Sequence, residues 1–250
     1  MLNAAESRDV AHAVAAERRR GQVVLDMTGM ETALDMADAA IERPHCIMIA
    51  GPNGAGKTTS SRAFAGHAHG VWRIVDADEI AGGLSGEPQL GALAAGKLAL
   101  AAQARYIDER LDFAMETTLS GRRWPKFLDA LAAADYRVTL YYLWISDPSL
   151  CIARVRTRMM NRGHGVSEED IRRRYASGLQ NLQSVVAPRV DAWHVADADA
   201  PSGAMLRYIA HGGRDAPLTV DDPSAWAALQ RATRPVTPPL PHPSIRRDQL

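Results

Sequence analysis

Short, mostly apolar runs alternate along the chain with longer stretches in which apolar residues recur every three or four positions. The runs cover 45–50 (HCIMIA), 71–78 (VWRIVDAD), 111–117 (LDFAMET), 136–145 (YRVTLYYLWI) and 192–197 (AWHVAD), with 204–210 (AMLRYIA) as a last short one. Strands that are apolar on both faces and spaced by helices predict a parallel sheet covered on both sides. The periodic stretches predict helices over 57–66, 89–110 and 124–134, one opening at Asp147-Pro148 and one over 167–186. Asp before Pro is an N-cap and N1 pair, and SEED at 167–170 places acids in a first turn. Two more helices are expected at 3–20 and 29–42. Beyond Gly213 fall seven of the fourteen prolines. That predicts a largely disordered tail over 214–250, with one short helix at 225–232. The expected organisation is N-terminal helices (1–42), an α/β domain (43–213) holding a mostly parallel five- or six-stranded sheet between helices, and the tail.

At 250 residues and 27.1 kDa the chain has room for one sizeable core. Its 29 basic and 29 acidic side chains cancel, so no nucleic-acid or membrane surface is expected. Cys46 and Cys151 sit in apolar surroundings without zinc-ligand spacing, which suits buried thiols. The N-terminus lacks the continuous apolar stretch of a signal peptide, and no run of about 18 apolar residues occurs. A cytoplasmic protein is the expectation.

One motif changes the picture. GPNGAGKTT, Gly51 to Thr59, follows the first apolar run and opens a helix. It matches GxxxxGK[ST] in the required strand–loop–helix context. The backbone of Gly51, Pro52, Asn53, Gly54, Ala55 and Gly56 is expected to cradle a nucleotide's phosphates at a helix N-terminus. Lys57 then reaches the β- and γ-phosphates, the Thr58 hydroxyl holds Mg²⁺, and Thr59 flanks it. The fold implied is of the P-loop NTPase type. No N/T-K-x-D base-reading tetrapeptide is present, and the signatures of transporter and ring ATPases are missing, which leaves a kinase of small molecules or nucleotides.

The next strands end in acids. Asp76 and Asp78 project to one side by period-2 alternation, at the carboxyl edge where open α/β sheets bind ligands. A carboxylate there can take the proton of an attacking hydroxyl; Asp78 also fits an N-cap. Glu116 closes the third strand and could hold a substrate hydroxyl or orient a metal-bound water. Thr117, Thr118 and Ser120 follow as cleft-lining hydroxyls or ordinary turn residues.

Residues 151–175 hold seven arginines against three acids. Arginine's planar fork suits a transferring phosphate. Arg154, Arg158 and Arg162 share a helix face, whereas Arg172, Arg173 and Arg174 point three ways. Gly163 and Gly165 join the two helices, so the segment reads as an Arg-rich lid, with a solvated basic face as the alternative.

In order, IAGPNGAGKTT, VDADEIA, FAMETTLSG, RVRTRMMNRGHGVSEEDIRRRYASGLQNL and AWHVADADAPSG resemble the zeta toxin family of P-loop kinases over about 45–214. The resemblance implies phosphorylation of a sugar hydroxyl of UDP-N-acetylglucosamine by ATP or GTP with Mg²⁺, and an antitoxin protein that blocks the site. It implies Asp78 as the base, Glu116 and Thr118 as sugar ligands, and Arg162 with Arg174 on the transferring phosphate. Relatives often read Asp-Asn-Ser where this chain has Asp197-Ala198-Asp199. The expected acceptor is a small hydroxyl-bearing metabolite. The alternatives are a kinase of a nucleotide, dinucleotide or RNA end, and a regulatory ATPase or nucleotide-binding interaction module.

Overall fold

The computed structural model describes residues 43–77, 79–80, 88–162, 166–200 and 206–233. The expected helices at 3–20 and 29–42, Asp78, the Gly163–Gly165 link with His164, and residues 234–250 lie outside these. The chain enters at β1 (His45–Ala50) and continues into α1 (Lys57–Ser61), which widens into π-type turns over Arg62–His67. Then come β2 (Ile74–Val75), α2 (Pro88–Asp108), β3 (Phe113–Thr117), α3 (Trp124–Ala133), β4 (Arg137–Trp144), α4 (Pro148–Arg162) and α5 (Glu168–Asn181). Further π-type turns over Leu182–Val186 lead to β5 (Ala192–Asp197), β6 (Arg207–Gly212), β7 (Thr219–Val220) and α6 (Pro223–Thr233).

Among the described residues the sheet has seven strands in the order β2-β3-β1-β4-β5-β6-β7. The first five are parallel, β6 pairs antiparallel with β5, and β7 pairs antiparallel with β6. β1 is flanked by β3 on one side and β4 on the other. The chain therefore departs in opposite directions around the carboxyl end of β1, where such sheets bind ligands.

Both faces are covered, as apolar strands require. On β4 the adjacent Tyr141 and Tyr142 point to opposite sides. Tyr141 stacks on Phe64 beyond α1 (4.3 Å between centroids), and Tyr142 lies against Gly178 of α5. Cys46 to Ala50 have no exposed surface, so β1 is the centre of the core. Both thiols are buried, as their surroundings predict.

Two segments depart from the sequence reading. The second strand, expected over 71–78, pairs with β3 only at Ile74 and Val75. Before it, Val71 N–H donates to Ala65 O (2.8 Å), and the Trp72 ring lies so close over Gly66 that a Cβ there would sit 2.3 Å from it. Those contacts hold the strand's first residues away from the sheet. In the expected tail the short helix foreseen at 225–232 is present as α6, but residues 214–233 fold against the domain. Asp222 Oδ1 caps α6 by accepting from Ser224 N–H (3.1 Å) and Ala225 N–H (3.0 Å), Trp226 stacks on Trp193, and Leu229 is fully buried. β6 answers to the last short strand expected at 204–210, and β7, within this segment, brings the expected five or six strands to seven.

Candidate functional site

At the end of β1 the backbone turns through Gly51 (φ +145°), Gly54 (+80°) and Gly56 (+83°), conformations that L side chains rarely adopt. At Gly51 the demand is also steric, because a Cβ would lie 2.5 Å from the Leu143 carbonyl oxygen. Gly51 N–H donates to Thr117 O (3.2 Å), which ties the loop to β3. Lys57 Nζ donates to Gly51 O (3.1 Å) and Pro52 O (3.0 Å), so the lysine folds over the loop that precedes it. Ala55 is buried beneath, and Asn53 is buried with its Oδ1 lacking a partner among the described atoms.

The loop forms one wall of a cleft of about 820 Å³. Asn53, Gly54, Gly56, Lys57, Thr58 and Thr59 contribute from the loop and α1, and Asp76, Ala77, Glu116, Thr117 and Thr118 from the ends of β2 and β3. Arg154, Arg158 and Arg174 close the far side. Three separately predicted groups, the phosphate loop, the strand-end acids and the arginines, therefore meet in one place.

Thr58 Oγ1 donates to Glu116 Oε2 (2.9 Å). Burial raises the Glu116 carboxyl above its ordinary range, and the neighbouring Asp76 raises it further, against lowering by Thr58 and Lys57. Two carboxylates and a hydroxyl drawn together at this depth suit a divalent cation, which would relieve their repulsion. Thr117 Oγ1 accepts from Leu119 N–H (3.0 Å), holding a turn in which Leu119 has φ +60°. Ser120, expected to line the cleft, instead pairs with Thr118 Oγ1 (2.9 Å) and reaches it only through that residue.

The arginines divide by what they touch. Arg154 donates to Gly54 O (3.3 Å), Ala198 O (2.7 Å), Asp199 O (2.6 Å) and Ala200 O (2.8 Å), and so pins the loop after β5 to the phosphate loop. In that loop Asp199 Oδ1 accepts from Ser146 N–H (2.8 Å), and Asp197 Oδ1 accepts from Asp199 N–H (2.9 Å). Both acids are bound into the backbone here. Arg156 pairs with Glu168 and Arg173 with Asp170, both at the surface, and Arg172 is exposed. Arg162 closes α4, and its side chain lies outside the described residues.

Arg174 enters the cleft because α5 is held close. Tyr175 Oη donates to Ile145 O (2.7 Å), and Asn181 Nδ2 donates to Leu119 O (2.7 Å) and Gly121 O (2.9 Å). Gly178, one turn after Arg174, approaches so near that a Cβ would lie 2.6 Å from Thr118 O.

Sequence reasoning missed a second, smaller cavity of about 380 Å³ between α2, β2 and β3, which shares Ala77, Glu116 and Thr117 with the first. Arg123 and Gln103 line it. A lone arginine before a tryptophan gives no periodic signal, and Gln103 reads as one more polar residue of a helix.

A family model described as zeta toxin matches residues 89–200. An uncharacterised protein of Haemophilus influenzae is 31% identical over 130 residues, 52% of this chain and 91% of that protein. The chain belongs to the zeta toxin family. The family match runs from α2 to the loop after β5 and takes in Glu116, Thr118 and both arginine-bearing helices. The phosphate loop lies upstream of that match and rests on its own motif and geometry; together they make the chain a P-loop kinase. A chain of the PezAT chromosomal toxin–antitoxin system of Streptococcus pneumoniae shares the fold, with a TM-score of 0.51 and 17% identity over 82% of each chain. So does the AvrRxo1-ORF1:AvrRxo1-ORF2 structure with sulphate ions, with a TM-score of 0.62 and 11% identity over 78% of this chain and 66% of that one. A further structure of that pair, with ATP, gives 0.61. Among the described residues, no helix is long and apolar enough to cross a membrane.

Proposed function

We propose that this protein transfers the γ-phosphoryl group of ATP to a hydroxyl of a small metabolite, with UDP-N-acetylglucosamine as the first acceptor to test. The observation that carries the reading is the opposition, across one cleft, of Lys57 and the phosphate loop to Arg158 and Arg174, with Asp76 and Glu116 between them. Phosphoryl transfer is catalysed mainly by positioning and by charge stabilisation, and this arrangement supplies both. The ATP assignment draws support from the related fold that was crystallised with ATP.

In this reading the loop amides and Lys57 hold the β- and γ-phosphates, and Arg158 and Arg174 stabilise the charge on the group in flight. The acceptor oxygen bonds to the γ-phosphorus as the bond from phosphorus to the β,γ-bridging oxygen breaks, and ADP leaves with that electron pair. The acceptor's proton passes to a carboxylate, assigned to Asp78 from the sequence motif VDADEIA alone. Thr58, Glu116 and Asp76 are the residues that would hold Mg²⁺, whose chemistry is to neutralise charge between the phosphates. Thr118 and Glu116 position the acceptor. An antitoxin protein covering this cleft is the proposed partner, in keeping with the toxin–antitoxin system that supplies one structural neighbour.

ADP release should be followed with Mg-ATP alone and with UDP-sugars, nucleotides, NAD and short RNA, with mass spectrometry on each acceptor. Asp78→Asn should keep ATP affinity and lose about 10²–10⁴-fold in turnover; unchanged turnover would remove Asp78 as the base. ADP formed at one rate regardless of acceptor, with none gaining mass, would replace the kinase reading with an ATPase.

A further inference from the structure

We propose that the second cavity is the acceptor pocket and that Arg123 at its wall holds an oxyanion of the acceptor, a phosphate or a carboxylate. The inference rests on the kinase reading and adds to it a chemical class of substrate.

Position is the first argument. The cavity shares Ala77, Glu116 and Thr117 with the phosphate cleft, so a molecule seated in it would present a group past Glu116 to the transferring phosphate. Val75, Leu93, Ala99, Leu100 and Met115 give it apolar walls, Lys97, Gln103 and Arg123 add polar groups, and its only acid among the described residues is Glu116.

The second argument is the state of Arg123. Its guanidinium lies 4.9 Å from the Trp124 ring centre and 4.7 Å from that of Phe127, and the residue is half-buried. Burial lowers its tendency to hold the proton. Nη2 donates to Gln103 Oε1 (2.7 Å), and none of the ion pairs among the described residues includes it. A guanidinium carries five N–H donors, and a partly desolvated cation is costly unless an anion meets it. Here its charge is steered by aromatic faces and a buried amide toward a cavity, with no carboxylate of the described chain to neutralise it. Lys97 adds a second cation at the exposed rim.

The third argument is Gly96, in the interior of α2 and on the cavity wall. A Cβ there would meet no described atom within 4 Å. Glycine is unfavourable inside a helix, and nothing in the packing demands it, whereas an open pocket benefits from it.

The test has two arms on the full chain. In the first, inorganic phosphate is titrated against the protein saturated with a non-hydrolysable ATP analogue, and the melting temperature is followed. The wild type should be stabilised by phosphate, Arg123→Gln should lose that response and Arg123→Lys should keep part of it. An equal response in Arg123→Gln, or none in the wild type, would overturn the pocket and leave the kinase reading standing. In the second, N-acetylglucosamine is compared with its 1-phosphate and UDP derivatives, and glucose with glucuronate. The charged member should be preferred by about 30-fold or more in kcat/KM. Arg123→Gln should raise its KM about tenfold or more with kcat and the KM for ATP little changed. Gly96→Leu, which fills the cavity and favours the helix, should lose acceptor turnover while melting no lower than wild type. Phosphorylation indifferent to acceptor charge and to both substitutions would overturn the pocket alone. ADP release with no acceptor gaining a phosphoryl group would overturn the kinase reading and the pocket's role with it.

Discussion

Glu116 shows how one side chain's surroundings set both chemistry and stability. Its carboxyl is raised by burial first and by Asp76 second. A carboxyl whose folded pKa exceeds its unfolded value favours the folded state below the unfolded value and loses that contribution as pH rises through the folded one. Above the ordinary carboxylate range the raised Glu116 carboxyl is therefore a cost to the folded state. Glu116→Gln should melt above wild type at pH 7–8, with the difference shrinking as pH falls toward the ordinary carboxylate range near 4.3. The same change should lower turnover by about 10–100-fold, because the amide no longer accepts from Thr58 as a charged oxygen. Thermal melts across pH with parallel rate measurements check both; a variant that melts lower at every pH would remove the argument. Thr58 and Glu116 were both legible from their motifs, but their 2.9 Å contact joins positions 58 residues apart and had no sequence signal.

At the scale of elements, α5 is placed by its close approach to β3. Gly178→Ala puts a Cβ 2.6 Å from Thr118 O, so the helix must back away. Overpacking of this kind costs about 1–3 kcal/mol, more than the helix propensity that alanine returns, up to about 1 kcal/mol. The variant should lose stability in chemical denaturation and lose kcat/KM as Arg174 withdraws. Gly91→Ala in α2, where a Cβ meets nothing described within 4 Å, should instead gain up to about 1 kcal/mol. A loss of equal size at both positions would show that propensity and crowding had been wrongly apportioned. The extents of α2, α3 and α5 were readable from apolar periodicity and caps, including the Ser167 side chain that accepts from Asp170 N–H. That Arg154 binds four carbonyls and Arg174 faces the cleft was not readable, since helical spacing says which arginines share a face and not what the face meets.

Across the whole molecule, aromatic and imidazole side chains line one face of the sheet. His45 pairs with Thr139, His69 with Tyr141, and His194 stacks on Tyr141. Burial pushes His45 to about 3 and both His69 and His194 to about 4, with neighbouring cationic or imidazole groups adding to the shift. The unfolded chain takes up these protons near pH 6.5 and the folded one only near 3–4, so the unfolded state binds more protons throughout that interval. Stability should fall steadily as pH drops from about 6.5 to 4, and His194→Phe should flatten the dependence. Urea denaturation at stepped pH checks this, and a pH-independent midpoint would refute it. The sequence by itself determined the parallel core strands, their helices, the phosphate loop and the residue types at the strand ends, because periodicity, caps and turn glycines act over a few residues. Only the tertiary structure decided that β2 is two residues long, that 214–233 folds onto the sheet edge, and that Arg123 faces a cavity beside Glu116. Those outcomes depend on which side chains meet across the sheet, where burial and contact distance outweigh any local preference.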